Sequence, residues 1–225
     1  MLRLITDFDG PIMDVSERYY RAYQFCLEQT RHPNQAVTEL PKAEFWQLKR
    51  LQTPETKIGL LSGLELDQAE KFSQLRKKTV HTHPFFQYDT VVPGAIAALT
   101  QIQQAGLDLV VMTMRRVSEL DYAFEQYHLG RFFSTNKRYC LSNTYVKTRD
   151  VEDKPLLMAK ALQELPPAAD IWMVGDTEAD IAAAKKHNIK VIAVESGIRD
   201  RQKLELYQPD LIVKDLQAAV EIILS

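Results

Sequence analysis

The strongest constraint on this 225-residue chain is a series of short, continuously apolar runs, each followed by a segment of helical periodicity. "LRLIT" (2–6), "LDLVVMTM" (107–114), "ADIWMVGD" (169–176), "IKVIAVESG" (189–197) and "PDLIVKD" (209–215) carry the pattern, and "RYCLSN" (138–143) is a weaker sixth run. Half-exposed strands alternate apolar with polar residues. Runs without alternation fit parallel strands covered on both faces. The segments between them read as helices. "PGAIAALTQIQQAG" places Pro93 in a first turn and Gly106 at a C-terminal cap, "VSELDYAFEQYHLG" runs to Gly130, and "EADIAAAKKHNI" stops before Asn188. Such alternation predicts an α/β fold, a Rossmann-like parallel-sheet core with right-handed crossovers.

One region breaks the alternation. Between about Val15 and Phe86 there is almost no strand signal, and at least three helical segments can be read. "SERYYRAYQFCLEQ" offers Asp14 as N-cap with Glu17 three residues on, "PKAEFWQLKRL" starts on Pro41, and "LDQAEKFSQLRKKT" begins at Leu66. The expected organisation is a core built from 1–14 and 89–225, interrupted by a helical insert over 15–88.

Composition narrows the function classes. Lys plus Arg number 28 and Asp plus Glu 30, a formal charge of -2, so the basic excess of a generic polyanion binder is missing and nucleic acid is not an expected partner. No stretch reaches the roughly 18 apolar residues of a membrane span, and the N-terminus has no signal-peptide pattern. Cys26 and Cys140 are far apart with no metal-type spacing, which suits a reducing compartment and apolar packing. A cytoplasmic protein without a membrane partner is the expectation, as monomer or homodimer.

In open parallel sheets, ligands bind beyond the carboxyl ends of the strands, so polar residues at those ends carry the most information. The first run stops at Asp7 and Asp9, followed by Gly10 and Pro11. Thr113 follows "LVVM", and Asp176 follows "IWMVG" with Asp180 four residues on; Lys154 stands before Pro155, the expected start of another helix. Several carboxylates converging with one lysine suit a hard divalent cation such as Mg²⁺, commonly held by one or two carboxylates plus phosphate and water. Thr113 and Lys154 could neutralise and orient a phosphoryl group, and Gly10 would let the backbone approach it closely. Any one of these signals alone has a structural explanation: an acidic turn, a strand threonine, a helix cap or a solvated lysine. The joint order carries the functional reading.

These motifs resemble those of the haloacid dehalogenase-like hydrolases. "DFDG" (7–10) looks like the first motif, Thr113 the second, Lys154 the third and "GDTEAD" (175–180) the fourth, and the insert is similar to the cap domain of the phosphoglycolate phosphatase-like branch. The resemblance implies a phosphatase acting on a small phosphorylated metabolite. Asp7 would be the nucleophile forming an aspartyl-phosphate, and Asp9 the proton carrier. Mg²⁺ would be held by Asp7, the Asp9 main-chain carbonyl and Asp176 with Asp180 in support, and phosphoryl oxygens by Thr113 and Lys154. An acid at position 9 argues against dehalogenation. A β-phosphoglucomutase-like phosphomutase shares every motif and is the alternative; a catalytically silent binding protein is the alternative from another class. Pro11, where relatives usually carry Thr or Val, and Met114 are departures from the family pattern.

Gly10, Arg115, Lys49 and Arg50 are the candidates for substrate contacts. Lys49, Arg50, Arg18 and Arg21 in the insert could reach an anionic substrate, although each taken singly reads as part of a solvated helix face. His81 and His83 read as hinge or surface residues because no further metal ligand stands near them in sequence.

Overall fold

The computed structural model describes residues 1–225. The chain divides into two compact units, Met1–Asp14 with Val91–Ser225, and Val15–Thr90.

The first unit is an α/β layer structure. Strands β1 (Leu2–Thr6), β4 (Asp108–Arg116), β5 (Arg138–Leu141), β6 (Asp170–Gly175), β7 (Lys190–Val194) and β8 (Leu211–Val213) form one sheet in the order β5-β4-β1-β6-β7-β8. Every pairing is parallel. Two short strands, β2 (Met13–Asp14) and β3 (Thr90–Val91), lie outside it. The predicted sheet is thus present, and all six apolar runs lie in it. From β1 the chain builds outward to β5 on one side and then from β6 to β8 on the other. The order therefore reverses at β1, which makes its carboxyl end the favoured ligand crevice of such a sheet.

Helices α5 (Ala95–Gln104), α6 (Val117–Gln126), α7 (Asp150–Glu164), α8 (Glu178–Lys186), α9 (Arg201–Glu205) and α10 (Leu216–Leu224) complete the unit. Ile5, Val110, Met112, Met158, Met173 and Val191 are fully buried in one cluster with residues of α7 and α8. Each such side chain contributes about 1.5–3 kcal/mol on leaving water. At the amino ends of β1 and β4, Arg3 and Asp108 are register partners, and Arg3 Nε donates to Asp108 Oδ2 at 2.6 Å. Lys137 takes the other Asp108 oxygen at 2.7 Å.

Three helix ends differ from expectation. Gly94, at φ 85°, caps α5, so Pro93 lies ahead of the helix rather than in its first turn. α6 stops at Gln126 because His128 takes the left-handed conformation (φ 53°) expected of Gly130, which falls in a following 3₁₀ turn. α7 begins at Asp150, ahead of Pro155. The Thr148 N–H and hydroxyl donate to Asp153, at 2.8 Å each, and organise an earlier first turn, so the proline removes only one helical hydrogen bond.

The second unit holds α1 (Ser16–Thr30), α2 (Lys42–Arg50), α3 (Glu55–Leu61) and α4 (Leu66–Thr79). Tyr23, Cys26, Phe45, Ile58, Ala69 and Phe72 form its fully buried core. α1 is entered through Val15, which has no side-chain cap hydrogen bond, one residue past the predicted N-cap Asp14. Arg18, expected on a solvated face, is fully buried and paired with Asp89 at 3.1 Å. No helix of the protein is long and apolar enough to cross a membrane.

Candidate active site

β1 delivers Asp7 by continuing its ladder one residue past the strand: the Asp7 N–H donates to Val174 O at 2.7 Å. The chain then closes a tight turn. Ile12 and Met13 N–H donate to Phe8 O at 3.1 and 2.9 Å, and Gly10 N–H to Met13 O at 2.8 Å. Pro11 sits inside this turn, whose hydrogen bonds use donors on either side of it, so its missing N–H has no local cost. Gly10 has φ 92°, and a Cβ there would stand 2.3 Å from Asp176 Cγ; only glycine lets this turn lie against Asp176.

Asp7 is held through both oxygens: Oδ1 accepts from the Phe8 N–H at 2.7 Å and Oδ2 from Lys154 Nζ at 2.8 Å. The same ammonium reaches Asp180 Oδ1 at 2.5 Å, and Lys154 is 1% exposed. Asp180 Oδ2 accepts from the Asp176 N–H, the Thr177 N–H and the Thr177 hydroxyl at 3.1, 3.0 and 2.7 Å. Asp180 thus closes the first turn of α8 and anchors the lysine at once. Asp176 Oδ2 accepts from the Ile198 N–H at 2.6 Å, whereas its Oδ1 is buried and makes no hydrogen bond. Carboxylate oxygens of Asp7, Asp176 and Asp180 lie within 4.8 Å of one another.

The electrostatics follow from that crowding. Burial, and then the Asp180 charge, push Asp7 well above the ordinary carboxylate range despite Lys154. Burial and Asp180 likewise push Asp176 up to about 7, with the Ile198 N–H and Lys154 acting in the opposite direction. Burial works against the charged lysine, but the Asp180 and Asp7 carboxylates outweigh it and hold Lys154 above its ordinary range.

Thr113 does not end its strand. β4 runs on to Arg116, with its register against β5 shifted between Met112 and Arg116, and the Thr113 hydroxyl oxygen accepts the Arg115 N–H at 3.1 Å. The irregularity re-aims the strand at its carboxyl end. Arg115, expected to contact substrate, is placed against Asp9: Nε and Nη2 lie 2.9 and 2.7 Å from Asp9 Oδ1. Lys49 and Arg50 belong to α2 of the helical unit. Lys49 pairs with Glu55, which also faces Arg76 at 3.4 Å, and burial notwithstanding, Arg76 and Lys49 hold Glu55 below its ordinary range. His81 and His83 each pack edge-on against an aromatic ring, Tyr19 and Phe86.

One part of the site escaped the sequence reading, the loop after β7. Ser196 Oγ donates to Gly10 O at 2.8 Å, Gly197 lies directly on Asp176, and Ile198 supplies the N–H on Asp176 Oδ2. Arg199 forms a two-point pair with Glu178 at 2.8 and 2.9 Å. The signal was available: "ESG" stands at the carboxyl end of the run "IKVIAV", where the same strand-end rule applies.

The profile of the haloacid dehalogenase-like hydrolases matches residues 3–188, which contain every residue of the carboxylate cluster. The chain belongs to this family. Among curated relatives, pyrophosphatase PpaX of Oceanobacillus iheyensis is 24% identical over 149 residues, 66% of this chain and 66% of that protein. A phosphoglycolate phosphatase of Pseudomonas fluorescens is 22% identical over 130 residues, 58% of this chain but 46% of its own length. The matched stretch thus spans about half to two thirds of these two relatives. PpaX of Bacillus velezensis matches at 25% over 97% of this chain and 94% of its own. Of solved structures, a haloacid dehalogenase-like family protein of Streptococcus pneumoniae superposes with TM-score 0.71 at 20% identity, covering 98% of this chain and 97% of that one. A hydrolase of Pseudomonas syringae gives 0.62 at 19%, covering 99% and 98%. At these identities the structures speak for the fold of this haloacid dehalogenase-like chain.

Proposed function

We propose that the protein is a Mg²⁺-dependent phosphatase, a phosphoric monoester hydrolase that acts on a small phosphorylated metabolite through an aspartyl-phosphate. The observation that carries this reading is the buried cluster of Asp7, Lys154, Asp176 and Asp180 at the carboxyl ends of the central strands β1 and β6. The residues fit a hard divalent cation. Three buried acids face one ammonium, Asp176 Oδ1 is a buried acceptor without a donor, and Gly10 leaves room against Asp176. Asp7 and Asp176 would hold the ion with the Asp9 main-chain carbonyl, and Asp180 would support them while it holds Lys154. When bound, such a cation would offset the negative charge of the cluster and supply Lewis-acid polarisation of phosphoryl oxygens.

The chain's own groups account for the rest. The Asp7 carboxylate, held on both sides by the Phe8 N–H and Lys154, attacks phosphorus and forms the acyl phosphate as the bond to the leaving oxygen breaks. Asp9 gives its proton to that oxygen and then takes one from the water that attacks phosphorus, releasing inorganic phosphate and restoring Asp7. Lys154 and Thr113 hold phosphoryl oxygens. The helical unit Val15–Thr90 would serve as the cap that excludes water. Relatives named pyrophosphatase and phosphoglycolate phosphatase support hydrolysis over a phosphomutase reaction.

The test is phosphate release from a panel of phosphorylated metabolites with and without Mg²⁺. Wild type should turn over at least one ester only with the metal, and Asp7→Asn should abolish turnover. Near-normal activity in Asp7→Asn removes the nucleophile assignment.

A further inference from the structure

Arg115 is 3% exposed and held from several sides. Its main-chain N–H donates to the Thr113 hydroxyl oxygen at 3.1 Å, and its guanidinium carbon stands 4.9 Å over the ring of Phe8. Its Nε and Nη2 both approach one oxygen of Asp9, Oδ1, at 2.9 and 2.7 Å. Phe8 is itself fully buried and packs on Phe124 at 5.7 Å between centroids. The guanidinium is thus a rigid bracket, stacked on the residue between Asp7 and Asp9 and forked onto the second of them. A side chain recruited to grip a substrate anion would keep its donor fork for the ligand; this one spends two donors on the acid assigned to proton transfer.

We propose that Arg115 is a positioning residue for Asp9. It fixes the carboxyl group by gripping Oδ1 through Nε and Nη2. This deepens the phosphatase reading and rests on it. In the first half-reaction the proton of the Asp9 carboxyl group passes to the leaving oxygen, which keeps the electron pair of the breaking P–O bond. In the second half a water proton passes to the Asp9 carboxylate as the water oxygen bonds to phosphorus and the acyl-phosphate bond opens. Arg115 touches neither substrate nor reacting atoms in either half. It acts by holding the carboxyl plane, and a misplaced proton carrier loses most of its effect.

The experiment uses Arg115→Met, Arg115→Lys, Asp9→Asn and the Arg115→Met/Asp9→Asn double variant in the full chain, with Mg²⁺. Two probes are compared: the best alkyl phosphate of the panel, whose leaving group needs a proton, and nitrophenyl phosphate, whose leaving group does not. In Arg115→Met, kcat on the alkyl phosphate should fall on the order of 10²-fold, the size of a lost general acid–base contribution. KM should stay within about twofold. On nitrophenyl phosphate the first turnover should remain fast and later turnovers slow, giving a burst of nitrophenolate. Arg115→Lys should recover part of the loss, and the double variant should be no slower than Asp9→Asn alone. A raised KM with unchanged kcat would make Arg115 a substrate clamp. Equal losses with both leaving groups and no burst, or losses that multiply in the double variant, would make it a structural residue. Either result overturns the positioning role while leaving the phosphatase reading intact. If Arg115→Met fails to fold, Arg115→Lys must show the same burst for the proposal to stand. Wild type that releases no phosphate from any ester overturns the phosphatase reading and this proposal with it.

Discussion

Gly197 offers the most direct test of the idea that the loop after β7 belongs to the proposed metal site. A Cβ on Gly197 would lie 1.9 Å from Asp176 Oδ2 and 2.2 Å from its Cγ, where ordinary contact begins at 3.4 Å. In Gly197→Ala, loop and carboxylate must therefore separate by about 1.5 Å, the difference between 3.4 and 1.9 Å. If Asp176 turns away, it loses the 2.6 Å hydrogen bond from the Ile198 N–H, a charged-acceptor bond of about 1.5–3 kcal/mol. If the loop retreats instead, the Ser196–Gly10 hydrogen bond is lost with it. Either way the expected destabilisation is about 3 kcal/mol, or roughly 6–12 °C in Tm for a chain of this size. Disturbing a group that orients a metal ligand also weakens metal binding by about 10–100-fold. Calorimetric Mg²⁺ titration and thermal melts on wild type and Gly197→Ala read both quantities. Gly130→Ala is the control, because its Cβ would meet only the far end of Arg138 at 3.3 Å. Wild-type Mg²⁺ affinity in Gly197→Ala, with Tm unchanged, would refute the placement of this loop on the proposed metal site.

Further predictions concern the charges. Asp7 and Asp176 are raised in the folded protein, so the metal-free fold retains protons that the unfolded chain has released above about pH 4. Its stability should fall as pH rises from about 4 toward 7, by about 1.4 kcal/mol per pH unit per retained proton, and saturating Mg²⁺ should flatten that slope. Melts between pH 5 and 8 in EDTA or Mg²⁺ check this; a pH-independent Tm in EDTA would contradict it. Lys154→Met strands Asp7 and Asp180 without their shared cation and should cost roughly 3–5 kcal/mol at pH 8 by urea denaturation, but less at pH 5, where Asp7 can take up a proton. In the helical unit, Glu55→Gln leaves Lys49 and the buried Arg76 without their anion and should cost about 3 kcal/mol, read by the same denaturation.

The sheet was legible because burial on both faces writes itself into sequence as continuous apolar runs, and Leu2–Thr6 or Lys190–Val194 can hardly be anything else. The pairing of Asp176 with Asp180 was legible for a related reason: the capping box at the start of α8 folds Asp180 back onto the Asp176 and Thr177 N–H groups. What stayed hidden was decided by distant partners. Arg115 looks like any arginine until the fold lays it beside Asp9, far away in sequence. Arg18 reads like any helical arginine, and only the position of Asp89 makes it a buried ion pair. α3 is seven residues long, too short for periodicity to mark, and Gly59 within it looks like a breaker. It is there because a Cβ would come within 3.2 Å of Ala69 on α4. The loop 196–198 acts through main-chain N–H groups and an absent side chain, which leave little trace in residue type.

A buried cluster of acids around a lysine is not by itself a reason to expect catalysis, since ion networks that only hold a fold together also exist and can often be replaced by apolar residues at no loss of stability. The Arg3–Asp108–Lys137 group at the other end of the same sheet is such a network: two cations meet one acid, and both acid oxygens are matched. The Asp7 cluster inverts that balance. It places three acids around one cation, leaves Asp176 Oδ1 buried without a donor, and lets two glycines bring main chain against the same carboxylate. An arrangement selected for stability alone would remove one acid or add a donor. Keeping the excess negative charge makes physical sense where a divalent cation joins the site, and that requirement distinguishes the two ends of one sheet.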